Sequence, residues 1–158
     1  GINRPGSNEW DSEDWHLSIR VNLDSVMFCM RAEIAAMLEN GGGAIVNTAS
    51  VNGLVGNPSQ PGYCASKHGV VGLTRSAALR YAKEGVRVNA VCPGVVDTPM
   101  VEQIAKIPHY RAAMEAMTPM GRMAQASEIA NAVLWLCSDQ ASFVTGHPLV
   151  IDGGATAI

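Results

Sequence analysis

The sequence predicts an α/β chain, a parallel sheet with helices on its faces. Three observations predict it. Apolar residues recur every three or four positions in three separate stretches, which is helical spacing. Three short apolar, partly β-branched runs read as buried parallel strands. The two kinds alternate as helix, strand, helix, strand, helix, strand, and strands separated by helical crossovers pair in parallel.

The first helix is expected from Trp15 to Leu38, where Trp15, Ile19, Leu23, Val26, Met30, Ile34 and Met37 share a face. Asn40-Gly41-Gly42-Gly43 stops it. Ala44 to Thr48 reads as the first strand, followed by turn chemistry at Asn52-Gly53, Gly56-Asn57-Pro58 and Pro61-Gly62. A second long helix is expected from about Tyr63 to Glu84, with Pro61 ahead of it and Gly85 behind it. Val86 to Val91 reads as a second strand, ended by Pro93-Gly94. Met100 to Met123 reads as irregular and Met-rich, broken by Pro108 and Pro119. A third helix is expected from about Ser127 to Ser138, and a last strand over Pro148 to Ile151, stopped by Gly153-Gly154. Three strands make a small sheet with an uncovered first edge, so further strands are expected ahead of Gly1.

The chain has 158 residues, 47% hydrophobic and 16% charged, enough for one domain with an apolar core. A net charge of −3 argues against nucleic acid, which selects a clustered basic face. No apolar run of about 18 residues is present, so no membrane segment is expected. Cys29, Cys64, Cys92 and Cys137 form no C-x-x-C pair and read as reduced, small hydrophobes, which suits a cytoplasmic protein. His16, His68, His109 and His147 lack metal-ligand spacing, so no metal is expected. Trp10, Trp15 and Trp135 read as packing residues.

Tyr63-Cys64-Ala65-Ser66-Lys67 places a phenol and an ammonium four residues apart, on one face of a helix. A nearby ammonium favours a phenolate, which suits a tyrosine to acid/base work during hydride transfer. A partly buried Tyr beside a surface Lys is the plain alternative. Ser50 follows the first strand at its carboxyl end, where open parallel sheets place ligands. Its hydroxyl could hold a substrate oxygen or simply cap a turn. Thr48 to Asn52 lacks the G-x-S-x-G elbow, so Ser50 does not read as an acyl-transfer nucleophile. The turn Pro93-Gly94-Val95-Val96-Asp97-Thr98 ends the second strand. Gly94 there would permit close backbone approach to a ligand, and exposed amides with the Thr98 hydroxyl could hold a carboxamide.

These segments, with Arg87 to Gly94 and Ile151-Asp152-Gly153-Gly154, together resemble the short-chain dehydrogenase/reductase family, in its core branch. The resemblance covers nearly the whole chain. It implies the C-terminal portion of a doubly wound Rossmann-type parallel sheet with helices on both faces. It implies Tyr63 as catalytic acid/base, Lys67 as its partner and ribose ligand, and Ser50 as the group that positions substrate. Asn22 matches the helix Asn that holds a water in the proton relay. Pro93, Gly94, Val95, Val96 and Thr98 match the nicotinamide-side turn, with NAD or NADP as cofactor. The Met-rich segment matches a lid over the substrate, although its methionines could also be plain core.

The implied reaction interconverts a secondary, cyclic or hydrophobic alcohol and its ketone, as in cyclic-alcohol and glucose dehydrogenase-like members. The alternatives are a 3-oxoacyl-carrier-protein reductase, a non-functional fragment, and a non-catalytic Rossmann-type binding protein. The family's glycine-rich phosphate turn is absent from these residues, and Gly1 to Pro5 resembles the segment directly after the family's Asn-Ala-Gly strand end. The chain is therefore expected to be the catalytic half of one domain, with the dinucleotide-phosphate half upstream. The two long helices, carrying Met27, Val70 and Leu79 outside a narrow apolar stripe, match those that pair family members into homodimers and homotetramers.

Overall fold

In the computed structural model, residues 10–99, 101 and 109–157 are described. Helix α1 spans Ser12–Ile19 and opens on Asp11, whose carboxylate accepts the Glu13 amide at 2.9 Å. The chain stays helical through a π-helical stretch, Arg20–Asp24, and into α2, Ser25–Glu39. The single expected helix is thus continuous but widened at its middle. Strand β1 is Gly43–Thr48 and leads into a 3-10 turn, Val51–Gly53. Helix α3, Pro61–Tyr81, passes through a short 3-10 turn to Gly85, whose φ of 78° lets the chain reverse without a Cβ clash. Strand β2 is Val86–Pro93.

The three main strands align as expected. Strand β1 pairs with β2 in parallel, Gly43 opposite Val86 through Thr48 opposite Val91. The last strand, Pro148–Ile151, pairs in parallel with the other side of β2. The stretch read as irregular is more ordered than expected. Met100 to Met123 contains helix α4, Tyr110–Ala116, and is flanked by β3, Val96–Asp97, and β4, Ala124–Gln125, which pair in parallel. Helix α5 follows at Ala126–Cys137, and Pro148–Ile151 is β5. The elements β3 and β4 are two residues each, too short to show a period in the sequence.

Alternation along the strands assigns the two faces. Ile45, Val86 and Val88 join Met30 and Ile34 of α2 and Ala77 and Ala78 of α3 in one buried cluster. Ala90 and Cys92 continue it against Val70 and Val71. The opposite face of β2 carries buried Val91 beside two polar side chains that are satisfied. Arg87 donates to the Leu136 and Ser138 carbonyls at the end of α5, and buried Asn89 donates to the Val144 carbonyl at 2.9 Å. Helices therefore cover both faces.

Several packing expectations change. Trp10 is 77% exposed, and Trp15 and Trp135 also lie at the surface. Val70 is fully buried while Leu79, on the same helix, is 86% exposed. Only Met123 of the Met-rich segment is buried; Met117 and Met120 are exposed, and Met100 lies outside the described residues. Gly1 to Pro5 also lies outside them. Among the described residues, no helix is long and apolar enough to cross a membrane, and no His, Cys, Asp or Glu group could hold a metal ion.

Candidate active site

Tyr63 and Lys67 stand together beside the carboxyl end of β1, and Ser50 lies two residues beyond that end. The Lys67 ammonium donates to the Thr48 carbonyl at 2.8 Å, the last residue of β1, and lies 5.6 Å from the centre of the Tyr63 ring. Lys67 is buried, and burial holds its pKa below the ordinary lysine value, opposed by the nearby Cys92. One turn of helix α3 separates phenol and ammonium, as the spacing implied, and Tyr63 is half-buried at its first turn. His68, the next residue, is exposed, and its ring Nδ1 lies 2.9 Å from the Cys64 carbonyl.

Ser50 is buried in extended backbone just before the 3-10 turn, and its hydroxyl accepts the Asn52 amide at 3.2 Å. The turn-capping role is therefore real. It uses one lone pair and leaves the hydroxyl proton for another acceptor. The Cys92 thiol lies behind Ser50. Burial pushes it up, against a hydrogen bond from the Ser50 amide and the charges of Arg75 and Lys67. The turn itself sits tightly on α3. A Cβ at Gly53 would lie 2.7 Å from the Lys67 carbonyl oxygen. The sequence signal at Asn52-Gly53 marked a turn but not this close approach.

Asn22 falls inside the π-helical stretch, a feature often found at functional sites and one that no period in the sequence announces. Its side-chain amide donates to the Ser18 carbonyl at 3.0 Å. Ser18 is fully buried, and its hydroxyl has no partner among the described residues. Both α1 and the π-helical stretch pack on α3.

At the second strand end, Gly94 packs closely against the residue that follows β5. A Cβ there would lie 2.9 Å from Asp152 Cβ, so its missing side chain admits the chain just beyond β5. Its amide donates to the Ile151 carbonyl at 3.0 Å. Val95 accepts from the Ala124 amide, and Val96 pairs with Ala124. The Thr98 hydroxyl accepts the Val101 amide at 3.4 Å. Beside this turn an apolar cleft opens between Thr48, Pro93, Val96 and Thr98 on one side and Ile129 and Val133 of α5 on the other. Thr48 belongs to both the cleft and the Lys67 hydrogen bond, so the two features adjoin.

Fold and site together define an open parallel-sheet α/β protein with a phenol and an ammonium paired where β1 ends and a serine two residues beyond it. Residues 2–156 match the family model described as "Enoyl-(Acyl carrier protein) reductase". The chain belongs to the short-chain dehydrogenase/reductase family. It is 46% identical over 151 residues to the cyclohexanol dehydrogenase of Acinetobacter sp. (strain SE19), covering 96% of this chain and 58% of that protein. It is 45% identical over 160 residues to the cis-4-hydroxycyclohexanecarboxylate dehydrogenase of Sinomonas cyclohexanicum, covering 100% and 64%. Among solved structures, ElxO with NADP bound gives a TM-score of 0.89 at 32% identity, covering 94% of this chain and 60% of that one. The chain spans roughly six tenths of the length of these curated relatives.

Proposed function

We propose that this chain is the catalytic half of an NAD- or NADP-dependent dehydrogenase that interconverts a secondary, cyclic or hydrophobic alcohol and its ketone. One observation carries the reading: a buried ammonium, held by the Thr48 carbonyl at 2.8 Å, stands against the Tyr63 ring with Ser50 at the adjoining strand end. The two cyclic-alcohol dehydrogenases among the relatives support the substrate class.

The residues fit the nicotinamide end of a dinucleotide. The apolar cleft beside Pro93, Val96 and Thr98 suits a flat ring, and Lys67 has ammonium protons beyond the one given to Thr48 with which to take ribose hydroxyls. When bound, the nicotinamide would exchange a hydride with the carbon that bears the substrate oxygen. This chain handles the accompanying proton. Tyr63 exchanges it with the substrate oxygen, and the Lys67 charge stabilises the phenolate side of that exchange. The Ser50 hydroxyl donates to the same oxygen and orients it. Asn22, at the widened helix, holds a water that links the site to solvent.

The dinucleotide-phosphate half of the domain lies upstream in this reading. The outer edge of β1 supports it. With α2, that edge forms a groove lined by Val26, Cys29, Met37, Ala44 and Val46, shaped for a further parallel strand. Exposed Val21, Met27 and Phe28 near α2 and exposed Leu79 on α3 support a homodimer or homotetramer. The test is Tyr63→Phe in the protein that carries both halves. Turnover should fall at least ~10²-fold with the melting temperature unchanged, since only the titrating hydroxyl is removed. Retention of most of the activity would overturn the mechanism.

A further inference from the structure

The Cys64 side chain, which the mechanism does not use, ties the loop after Ser50 to the helix bearing Tyr63. The Cys64 sulfur lies 3.1 Å from the Asn52 carbonyl oxygen and 3.2 Å from that of Val55. Cys64 is 8% exposed and sits next to Tyr63 in the first turn of α3. The amides of Gly53, Leu54 and Val55 bond back to Ser50 and Val51, so these bonds shape the loop without fastening it to the helix. The thiol contacts cross 12 and 9 residues and do fasten it. A thiol carries one proton, so the two carbonyls share a single donor.

We infer that Cys64 is a positioning residue, a thiol clasp that sets the Ser50 hydroxyl against the Tyr63 hydroxyl. The inference rests on the roles given to Ser50 and Tyr63 above. A thiol that merely filled space would be replaced well by alanine and poorly by serine, which buries a more polar group. A clasp reverses that order, because a serine hydroxyl is a stronger donor to the same carbonyls while alanine leaves both without one.

The experiment compares Cys64→Ser, Cys64→Ala and Tyr63→Phe in the protein carrying both halves, with melting temperatures recorded for each. Cys64→Ser should keep kcat within about twofold of the parent. Cys64→Ala should lower kcat roughly three- to tenfold, with KM for the nicotinamide nucleotide unchanged, because the cofactor side is not touched. Parental kcat in Cys64→Ala, or Cys64→Ser no better than Cys64→Ala, overturns the clasp. If Tyr63→Phe is dead in that event, the site reading stands and the clasp alone fails. Turnover surviving in Tyr63→Phe removes the site reading and the clasp with it.

Discussion

Gly53→Ala tests whether the turn after Ser50 must lie directly on α3. The added methyl would sit 2.7 Å from the Lys67 carbonyl oxygen, 2.9 Å from its carbon and 3.3 Å from Val71 Cγ2. Ordinary contact begins at 3.4 Å, so turn and helix must separate by about 0.7 Å. Both obstructing atoms at Lys67 are backbone, and α3 is pinned under the sheet by Val70 and Val71, so the turn must give way. Overpacking of this kind costs ~1–3 kcal/mol, at ~2–4 °C of melting temperature per kcal/mol for a chain of this size. The displaced turn carries Ser50, and a 1 Å error in a reacting group can cost ~10²-fold, so kcat should fall on the order of tenfold. Gly56→Ala is the control, because a Cβ there meets nothing within 4 Å. Calorimetric melting of both variants, with steady-state kinetics in the protein carrying both halves, decides it. A Gly53→Ala protein as stable as Gly56→Ala and with parental kcat would refute the close approach as a constraint.

Two further outcomes are expected from the buried polar groups. Burial lowers the Lys67 pKa, so between that value and the unfolded value near 10.4 the unfolded chain binds more protons, and stability rises with pH across that window. Lys67→Met should lack this rise in denaturant titrations run from neutral to alkaline pH; parallel curves for parent and variant would contradict it. In the core, the Asn47 side-chain amide donates to Thr74 Oγ1 at 2.9 Å, with both residues buried. Thr74→Val should cost ~1–3 kcal/mol in urea unfolding by leaving the amide only its weaker contact with the Met30 sulfur at 3.2 Å, while Thr74→Ser should recover most of it; equal losses in the two variants would mean the bond contributes nothing.

What the sequence determined by itself is local. The stops at Asn40 to Gly43 and at Gly85, the apolar runs of β1, β2 and β5, and the four-residue spacing of Tyr63 and Lys67 each arise from backbone sterics and side-chain period. Their alternating order was enough to predict a parallel sheet. The tertiary structure alone decided which groups meet across long separations. The Lys67 to Thr48 bond spans 19 residues and the Asn47 to Thr74 bond spans 27, distances at which sequence period carries no information. Helix α3 shows why. Its buried side includes Gly62, Ser66, Lys67 and Thr74, and its exposed side includes Leu79, so its polarity does not point to the core. The sheet buries a mixed face of that helix, Val70 and Val71 together with Ser66, Lys67 and Thr74, and the missing side chain of Gly53 lets the turn after Ser50 approach the helix backbone at Lys67.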